Sequence, residues 1–144
     1  SREAKSPLKF SLPTGAQKPG FEPAIDEIVV EKDVNSGFIG TSLEVQLRRA
    51  GISRLVIVGF FTNFCVETTT RMSGNLGFDT YLIDDCCATT NRVGLDGIDR
   101  EPELVHAMTV GNLHGEFCTA ISCVDALGLV NCDNNQLSRC QGNE

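Results

Sequence analysis

The most informative segment of this chain is RLVIVGFFTNFCVETTTRMSGNL, residues 54–76. Its first part, residues 54–59, is a continuous apolar run that is too short for a helix and is typical of a strand buried on both faces of a parallel sheet. From Cys65 to Leu76 the apolar residues recur at helical spacing, and Gly77 follows as a stop signal. The segment therefore predicts a buried strand that leads into a helix.

Strands and helices also alternate on both sides of this segment. A Thr41-x-x-Glu44 capping box and a proline at position 102 are signals for two helix starts. The further predicted elements are strands over residues 27–31, 78–83 and 117–124 and helices over residues 42–50 and 101–113. Strands that alternate with helices through short connections predict right-handed βαβ units. We therefore expect an α/β fold, a three-layer sandwich with a mainly parallel sheet.

A single domain is expected, because 144 residues suit one hydrophobic core. The predicted domain covers residues 1–130 and begins with an extended loop over residues 1–24, which holds four of the five prolines. Residues 131–144 are polar and predict a loose tail.

Composition and motifs argue against several classes of function. The 12 Lys and Arg against 19 Asp and Glu leave a net charge of -7, which is unfavourable for binding nucleic acid. No run of about 18 apolar residues is present to cross a membrane. No GxGxxG or GxxxxGKS/T motif follows a predicted strand, which disfavours a nucleotide-binding domain. The seven cysteines include no CxxC pair, which indicates reduced thiols, as expected of a cytoplasmic protein, and argues against a zinc site.

Cys65 is the first candidate for catalysis, because it lies where the predicted strand passes into the helix. The carboxyl ends of strands form the ligand crevice of open α/β sheets, and a helix N-terminus there favours a thiolate and can stabilise an oxyanion. A buried structural cysteine is the alternative. Lys32 ends the predicted strand 27–31, so parallel strands would bring it to the same sheet edge, where its ammonium group would favour the thiolate. For Lys32, the alternative is a solvated charge.

Other ionisable side chains are weaker candidates. Asp84 and Asp85 follow a strand and could form a general-base pair or a metal site, but adjacent residues point to opposite faces of a strand, which favours loop capping. His114, at the end of the last predicted helix, could act as a base or cap that helix. His106 is a still weaker candidate for a base.

Three blocks of this sequence resemble the isochorismatase-like cysteine hydrolase family, which includes nicotinamidases and N-carbamoyl amide hydrolases. The blocks are EKDVNSGFIGT at residues 31–41, GFFTNFCV at residues 59–66 and DDCCAT at residues 84–89. The resemblance covers residues 6–127 and keeps the family's order of a Lys-x3-Ser-x-Phe-x2-Thr block before a Gly-x2-Thr-x2-Cys-Val block. It implies an enzyme that hydrolyses the C–N bond of a small-molecule amide without an organic cofactor.

The resemblance also assigns roles to individual residues. Cys65 would be the nucleophile that forms a thioester, and Lys32 would support its thiolate. A cis peptide bond between Phe61 and Thr62 would aim backbone amides, including that of Cys65, as an oxyanion hole. The aromatic residues implied as walls of the substrate pocket, for which core packing is the alternative, are Phe38, Phe61 and Phe64.

One feature of the family has no counterpart in this sequence. The resemblance implies a catalytic Asp in an apolar-then-Asp-x-Gln context, and none of Asp26, Asp33, Asp84 and Asp85 has that context. We therefore interpret the chain as an N-terminally truncated hydrolase that lacks the first strand, and its activity in isolation as an open question. A sheet without that strand would have open edges, which predicts a homo-oligomer. The alternative is a non-catalytic truncated paralogue that self-associates or pairs with a full-length partner.

Overall fold

The computed structural model describes residues 19–129. The chain divides into two compact units, Ser1–Ser53 and Arg54–Glu144, and each unit is described by itself. The first unit contains helix α1, Leu43–Arg49. The elements of the second unit are β1 (Arg54–Phe60), a π-helical turn (Thr62–Val66), α2 (Glu67–Asn75), β2 (Asp79–Ala88), β3 (Arg92–Val93), β4 (Asp99–Arg100), α3 (Pro102–Leu113) and β5 (Thr119–Ile121). Residues 123–129 are again helical.

Helix α1 confirms the helix that was predicted over residues 42–50, to within one residue at each end. The chain leaves the helix at Gly51, whose φ of 70° is unfavourable for a residue with a Cβ atom. The predicted capping box does not form, because Ser42 is the N-cap and makes no side-chain capping bond. The Thr41 hydroxyl instead donates to the carbonyl of Gly37, 2.6 Å away, so this residue closes the preceding loop.

The strand predicted over residues 27–31 is wrong, since residues 19–53 contain no strand. The β-branched side chains that motivated the prediction are exposed, at 59% for Ile28 and 58% for Val29. Strand propensity depends on packing against neighbouring strands. Ile28 and Val29 are exposed instead of packed, so the strand propensity of this segment is not realised.

The second unit is built on a parallel sheet of three strands in the order β1-β2-β5, as far as residues 54–129 show. Strand β1 pairs with β2 from Arg54 opposite Asp79, and β2 pairs with β5 from Tyr81 opposite Thr119. The register of β1 on β2 shifts between Ile57 and Gly59, immediately before the carboxyl end of β1. The predicted α/β class with a parallel sheet is confirmed.

The core of this unit lies where β2 meets helices α2 and α3, which contact each other as well as the strand. Leu82, in the centre of β2, is fully buried and packs with Val66 of the π-helical turn and Leu113 of α3. Cys118, which precedes β5, completes this cluster. The central strand therefore ties both helices to the sheet.

Strand β1 was predicted correctly in its position but not in its burial. Its side chains alternate between half-buried and exposed positions along the whole strand. Val56, Val58 and Phe60 are 57%, 54% and 69% exposed. In the sheet of the second unit β1 is an edge strand, and the side chains on one of its faces are exposed, so a continuous apolar run does not mean burial on both faces.

The helix predicted over residues 101–113 is confirmed by α3, which begins at Pro102 as expected for a proline in the first turn. The strand predicted over residues 117–124 is shortened to β5, because residues 123–129 turn into a helix. The Ser122 hydroxyl accepts the backbone N–H of Asp125 at 3.1 Å, a capping contact whose Ser-x-x-Asp signal the prediction overlooked. Residues 1–18 and the predicted tail, residues 131–144, lie outside the described residues.

The hairpin of β3 and β4 was also not predicted. Its turn contains Asp96 and Gly97, a turn-forming dipeptide, and Arg100 binds the Asp96 carboxylate at 2.6 Å. This ion pair lowers the pKa of Asp96 and raises that of Arg100.

No helix among residues 19–129 has the length and apolar character needed to cross a membrane.

Candidate active site

Cys65 lies in the π-helical turn that connects the carboxyl end of β1 with α2. The backbone N–H of Val66 donates to the carbonyl of Phe61, five residues back, at 3.3 Å. Thr62 and Val66 are the buried residues of the turn, and Cys65, between them, is half-buried. The predicted helix therefore starts with a wider turn, and the regular α-helix begins only at Glu67.

A non-proline cis peptide bond is present in this connection, but it joins Phe60 to Phe61. The predicted position, between Phe61 and Thr62, is wrong by one residue. The carbonyl of Phe61 already accepts the N–H groups of Phe64 and Val66, so the bond after Phe61 belongs to the helical turn. The cis bond instead lies at the end of strand β1.

Two side chains of the turn are held by the segment that follows β2. The Thr89 hydroxyl donates to the Asn63 side-chain oxygen, and the Arg92 guanidinium lies 4.6 Å from the centre of the Phe64 ring. Phe64, predicted as a pocket wall, therefore has one face of its ring covered by a cation. These contacts connect the π-helical turn that contains Cys65 with the segment after β2.

The start of the π-helical turn is held by two consecutive polar contacts that the sequence did not predict. The Thr62 hydroxyl lies 2.9 Å from Nδ1 of His106, and Nε2 of the same ring lies 2.6 Å from a carboxylate oxygen of Asp84. Thr62 is fully buried, whereas the His106 side chain is 22% exposed and that of Asp84 is 53% exposed. These hydrogen bonds therefore connect the exposed carboxylate of Asp84 with the buried hydroxyl of Thr62 in the π-helical turn.

The other acidic and basic candidates have structural roles. Asp84 was expected to cap a loop and instead binds His106, which is a correction to the prediction. Asp85 does cap backbone, because it accepts the N–H of Cys123 at 2.8 Å where the helical residues 123–129 begin. His114 accepts the backbone N–H of Ala120 at 3.0 Å through Nδ1.

An open groove of about 290 Å³ lies next to His106 in the same unit. Its lining residues are Cys87, Ala88, Thr89, Pro102, Glu103 and His106. Burial, together with nearby negative charges, raises the pKa of Cys87, and burial raises the pKa of Cys118 to about 11. The raised pKa makes the Cys87 thiol in the groove a weaker candidate for a nucleophile than an ordinary thiol.

The remaining predicted residues belong to the first unit. The Lys32 ammonium group donates to the carbonyl of Val34 at 2.9 Å and lines an open groove of about 260 Å³. Ser36 is buried, and its hydroxyl accepts the backbone N–H of Phe38 at 3.2 Å. The structure thus places Lys32 and Phe38 in one loop, and Phe61, Thr62, Phe64 and Cys65 in one turn of the second unit.

Within residues 19–129, no group of three or more His, Cys, Asp and Glu side chains could hold a metal ion.

Comparisons with known proteins point to one enzyme family. A family model described as an isochorismatase domain matches residues 2–114. The isochorismatase family protein YrdC of Bacillus subtilis is 44% identical over 101 residues, which cover 70% of this chain and 54% of the relative. The ureidoacrylate amidohydrolase RutB of Acinetobacter baylyi is 44% identical over 67 residues, which cover 46% of this chain and 27% of the relative.

Solved structures agree with this result. The crystal structure of an isochorismatase family protein from Chromobacterium violaceum superposes with a TM-score of 0.82 at 42% identity, covering 88% of this chain and 66% of that one. The isochorismatase family protein YecD of Escherichia coli O157:H7 is 38% identical over 90 residues, which cover 62% of this chain and 48% of the relative. The present chain therefore spans about half the length of YrdC and of YecD.

Proposed function

This chain belongs to the isochorismatase family, and on that premise we propose that it acts as a cysteine hydrolase that cleaves the C–N bond of a small-molecule amide through a thioester on Cys65. The observation that carries the proposal is the position of Cys65, half-buried in the first turn after the carboxyl end of a parallel strand. Ligands of open α/β sheets bind at this end of the strands.

The chemistry of such a reaction suits a thiol in this turn. The Cys65 sulfur attacks the amide carbonyl carbon, the C–N bond breaks, and the amine leaves with the proton that the thiol gives up. Water then hydrolyses the thioester, which gives the carboxylic acid and restores the thiol. Backbone N–H groups at the start of a helix carry partial positive charge, which stabilises the oxyanion that forms in each step.

Two further observations support an amide as the substrate class and Cys65 as the nucleophile. The relative from Acinetobacter baylyi is named an amidohydrolase, which makes an amide-type carbonyl the first electrophile to test. Burial raises the pKa values of Cys87 and Cys118, which makes these two thiols weaker candidates for the nucleophile. Lys32 is proposed as the group that supports the thiolate, on the sequence resemblance alone. Assembly as a homo-oligomer and a cytoplasmic location stay predictions.

The proposal is tested with the full chain and a panel of small primary and N-carbamoyl amides, with ammonia release as the readout. Cys65→Ala is expected to lower turnover by at least 100-fold, and Cys86→Ala, which removes an exposed thiol, to leave it within twofold of wild type. Intact-mass measurement under turnover should detect an acyl adduct that maps to Cys65. Turnover that survives in Cys65→Ala would contradict the proposal. A wild-type chain with no turnover and no adduct would favour the non-catalytic alternative.

A further inference from the structure

Asp84, His106 and Thr62 form a continuous series of hydrogen bonds that ends in the π-helical turn, which contains Cys65. The two distances, 2.6 Å from Asp84 to His106 and 2.9 Å from His106 to Thr62, are those of good hydrogen bonds. Thr62 begins the π-helical turn, and Cys65 follows three residues later. The Thr62 hydrogen bond is therefore made within the same turn of backbone that carries the proposed nucleophile.

The donor and acceptor roles in this series follow from the chemistry of its ends. An ionised carboxylate can only accept hydrogen bonds, so Nε2 of His106 carries the proton that faces Asp84. In the neutral ring Nδ1 is then an acceptor, and the Thr62 hydroxyl donates its proton to it. Asp84 therefore selects the ring tautomer, and the ring fixes the direction in which the Thr62 hydroxyl points.

The burial of Thr62 makes this contact important for the turn. Its side chain is fully buried, so a hydroxyl without its histidine partner would face the protein interior unsatisfied. The carbonyl of Thr62 also accepts the N–H of Glu67, the first residue of α2. At the other end of the turn Val66 is anchored in the hydrophobic core. Thr62 and Val66 are therefore the two fixed points between which Cys65 is held.

We infer that His106, oriented by Asp84, is a positioning residue for the Cys65 turn. The inference rests on the hydrolase function proposed above and adds a residue to it. His106 acts on the reaction through Thr62, by holding the backbone that presents the Cys65 thiol. It makes no covalent bond to the substrate, and the contacts on both ring nitrogens are occupied by Asp84 and Thr62.

Two substitutions of His106 separate its two contacts. His106→Asn places an amide near the position of Nδ1 and keeps a partner for Thr62, whereas His106→Gln extends toward the position of Nε2 and keeps only the contact with Asp84. Thr62→Val removes the hydroxyl and retains the shape of the side chain. Thr70→Val is its matched control, because Thr70 is buried in α2 and its hydroxyl has no hydrogen-bond partner in residues 19–129.

The readout is the rate at which iodoacetamide alkylates Cys65 at a fixed neutral pH, followed by mass-spectrometric peptide mapping. The expected result is a fall of at least tenfold in Thr62→Val and His106→Gln, and a rate within threefold of wild type in His106→Asn and Thr70→Val. Alkylation of the buried Cys118 reports on folding in the same digest. If the amide substrates are turned over, kcat should fall in the first pair with KM nearly unchanged.

The alkylation rate of Cys65 in His106→Gln can also overturn the inference. A Cys65 alkylation rate within twofold of wild type in His106→Gln, with Cys118 still protected, would show that the contact does not position the thiol. Should that variant unfold, Asp84→Ala decides the question, since it alters an exposed carboxylate and is expected to slow Cys65 alkylation by threefold to tenfold. Because alkylation needs no substrate, an absence of amide turnover and of an acyl adduct in wild type would favour the non-catalytic alternative without affecting this test.

Discussion

The hydroxyl groups of Ser73 and Thr80 meet at 2.6 Å in the interior between α2 and β2. Thr80 donates its own proton to the carbonyl of Phe78 at 3.1 Å, so Ser73 is the donor in the bond between the two hydroxyl groups. Both side chains are buried, and this polar contact fixes the helix that follows the cysteine turn against the central strand.

Thr80→Val is expected to destabilise the protein by about 1–3 kcal/mol, because it leaves the buried Ser73 hydroxyl without an acceptor. The double variant Ser73→Ala/Thr80→Val should lose less than the sum of the two single changes, since it removes both polar groups. Urea unfolding measures each value. Thr70→Val is the control, and is expected to be neutral or stabilising because the Thr70 hydroxyl is buried without a partner in residues 19–129. Additive losses would contradict the coupling.

The Arg92 guanidinium packs on the Phe64 ring next to Cys65, at 4.6 Å from the ring centre. A partly exposed cation–π contact contributes about 0.5–1 kcal/mol, so Arg92→Gln should lower the free energy of unfolding by that amount. Arg92→Lys, which keeps a cation, should lose less than half as much. Equal losses in the two variants, measured by urea unfolding, would argue that the contact is only steric.

Features encoded locally were predictable from the sequence. The apolar run of β1 and the proline that begins α3 fixed two elements nearly to the residue, and the same run placed Cys65 at the carboxyl end of a strand. The exposure of Val56 and Val58 could not be read from that run, because burial depends on which elements cover each face of the sheet.

At the candidate site, the sequence did not predict the contacts between residues that are far apart in the chain. Thr62 and His106 are 44 residues apart, and Asp84 and His106 are 22 apart. No spacing rule connects a residue at a strand end with one on a later helix. The pairing emerges only when α3 packs beside β2 and aligns His106 with both partners.

The thiol of Cys118 provides a prediction about pH. Burial raises its pKa from 9.0 to about 11, so the neutral thiol is favoured in the folded state. Its stabilising contribution is complete below pH 9 and is lost as the pH rises through about 11. We expect the free energy of unfolding to fall as the pH rises from 9.0 to about 11, and to fall less steeply in Cys118→Ala. Parallel declines of the two proteins in urea titrations would contradict this assignment.

Gly74 of α2 and Gly111 of α3 form a matched pair for testing how closely the core is packed. A Cβ atom at Gly74 would lie 2.6 Å from the backbone oxygen of Phe117 and 3.0 Å from its Cα atom, whereas a Cβ atom at Gly111 would have no neighbour within 4 Å. Both positions are helical, so alanine gains a similar helix propensity of about 0.5–1 kcal/mol at each.

We therefore expect opposite effects from the same substitution. Gly111→Ala should stabilise the protein by about 0.5–1 kcal/mol. Gly74→Ala should destabilise it by about 1–3 kcal/mol, because the backbone of Phe117 must move away from α2 to make room for the new Cβ atom. Urea unfolding of the two variants beside wild type gives the comparison. Stabilisation by Gly74→Ala would mean that α2 does not approach the segment before β5 as closely as the structure places it.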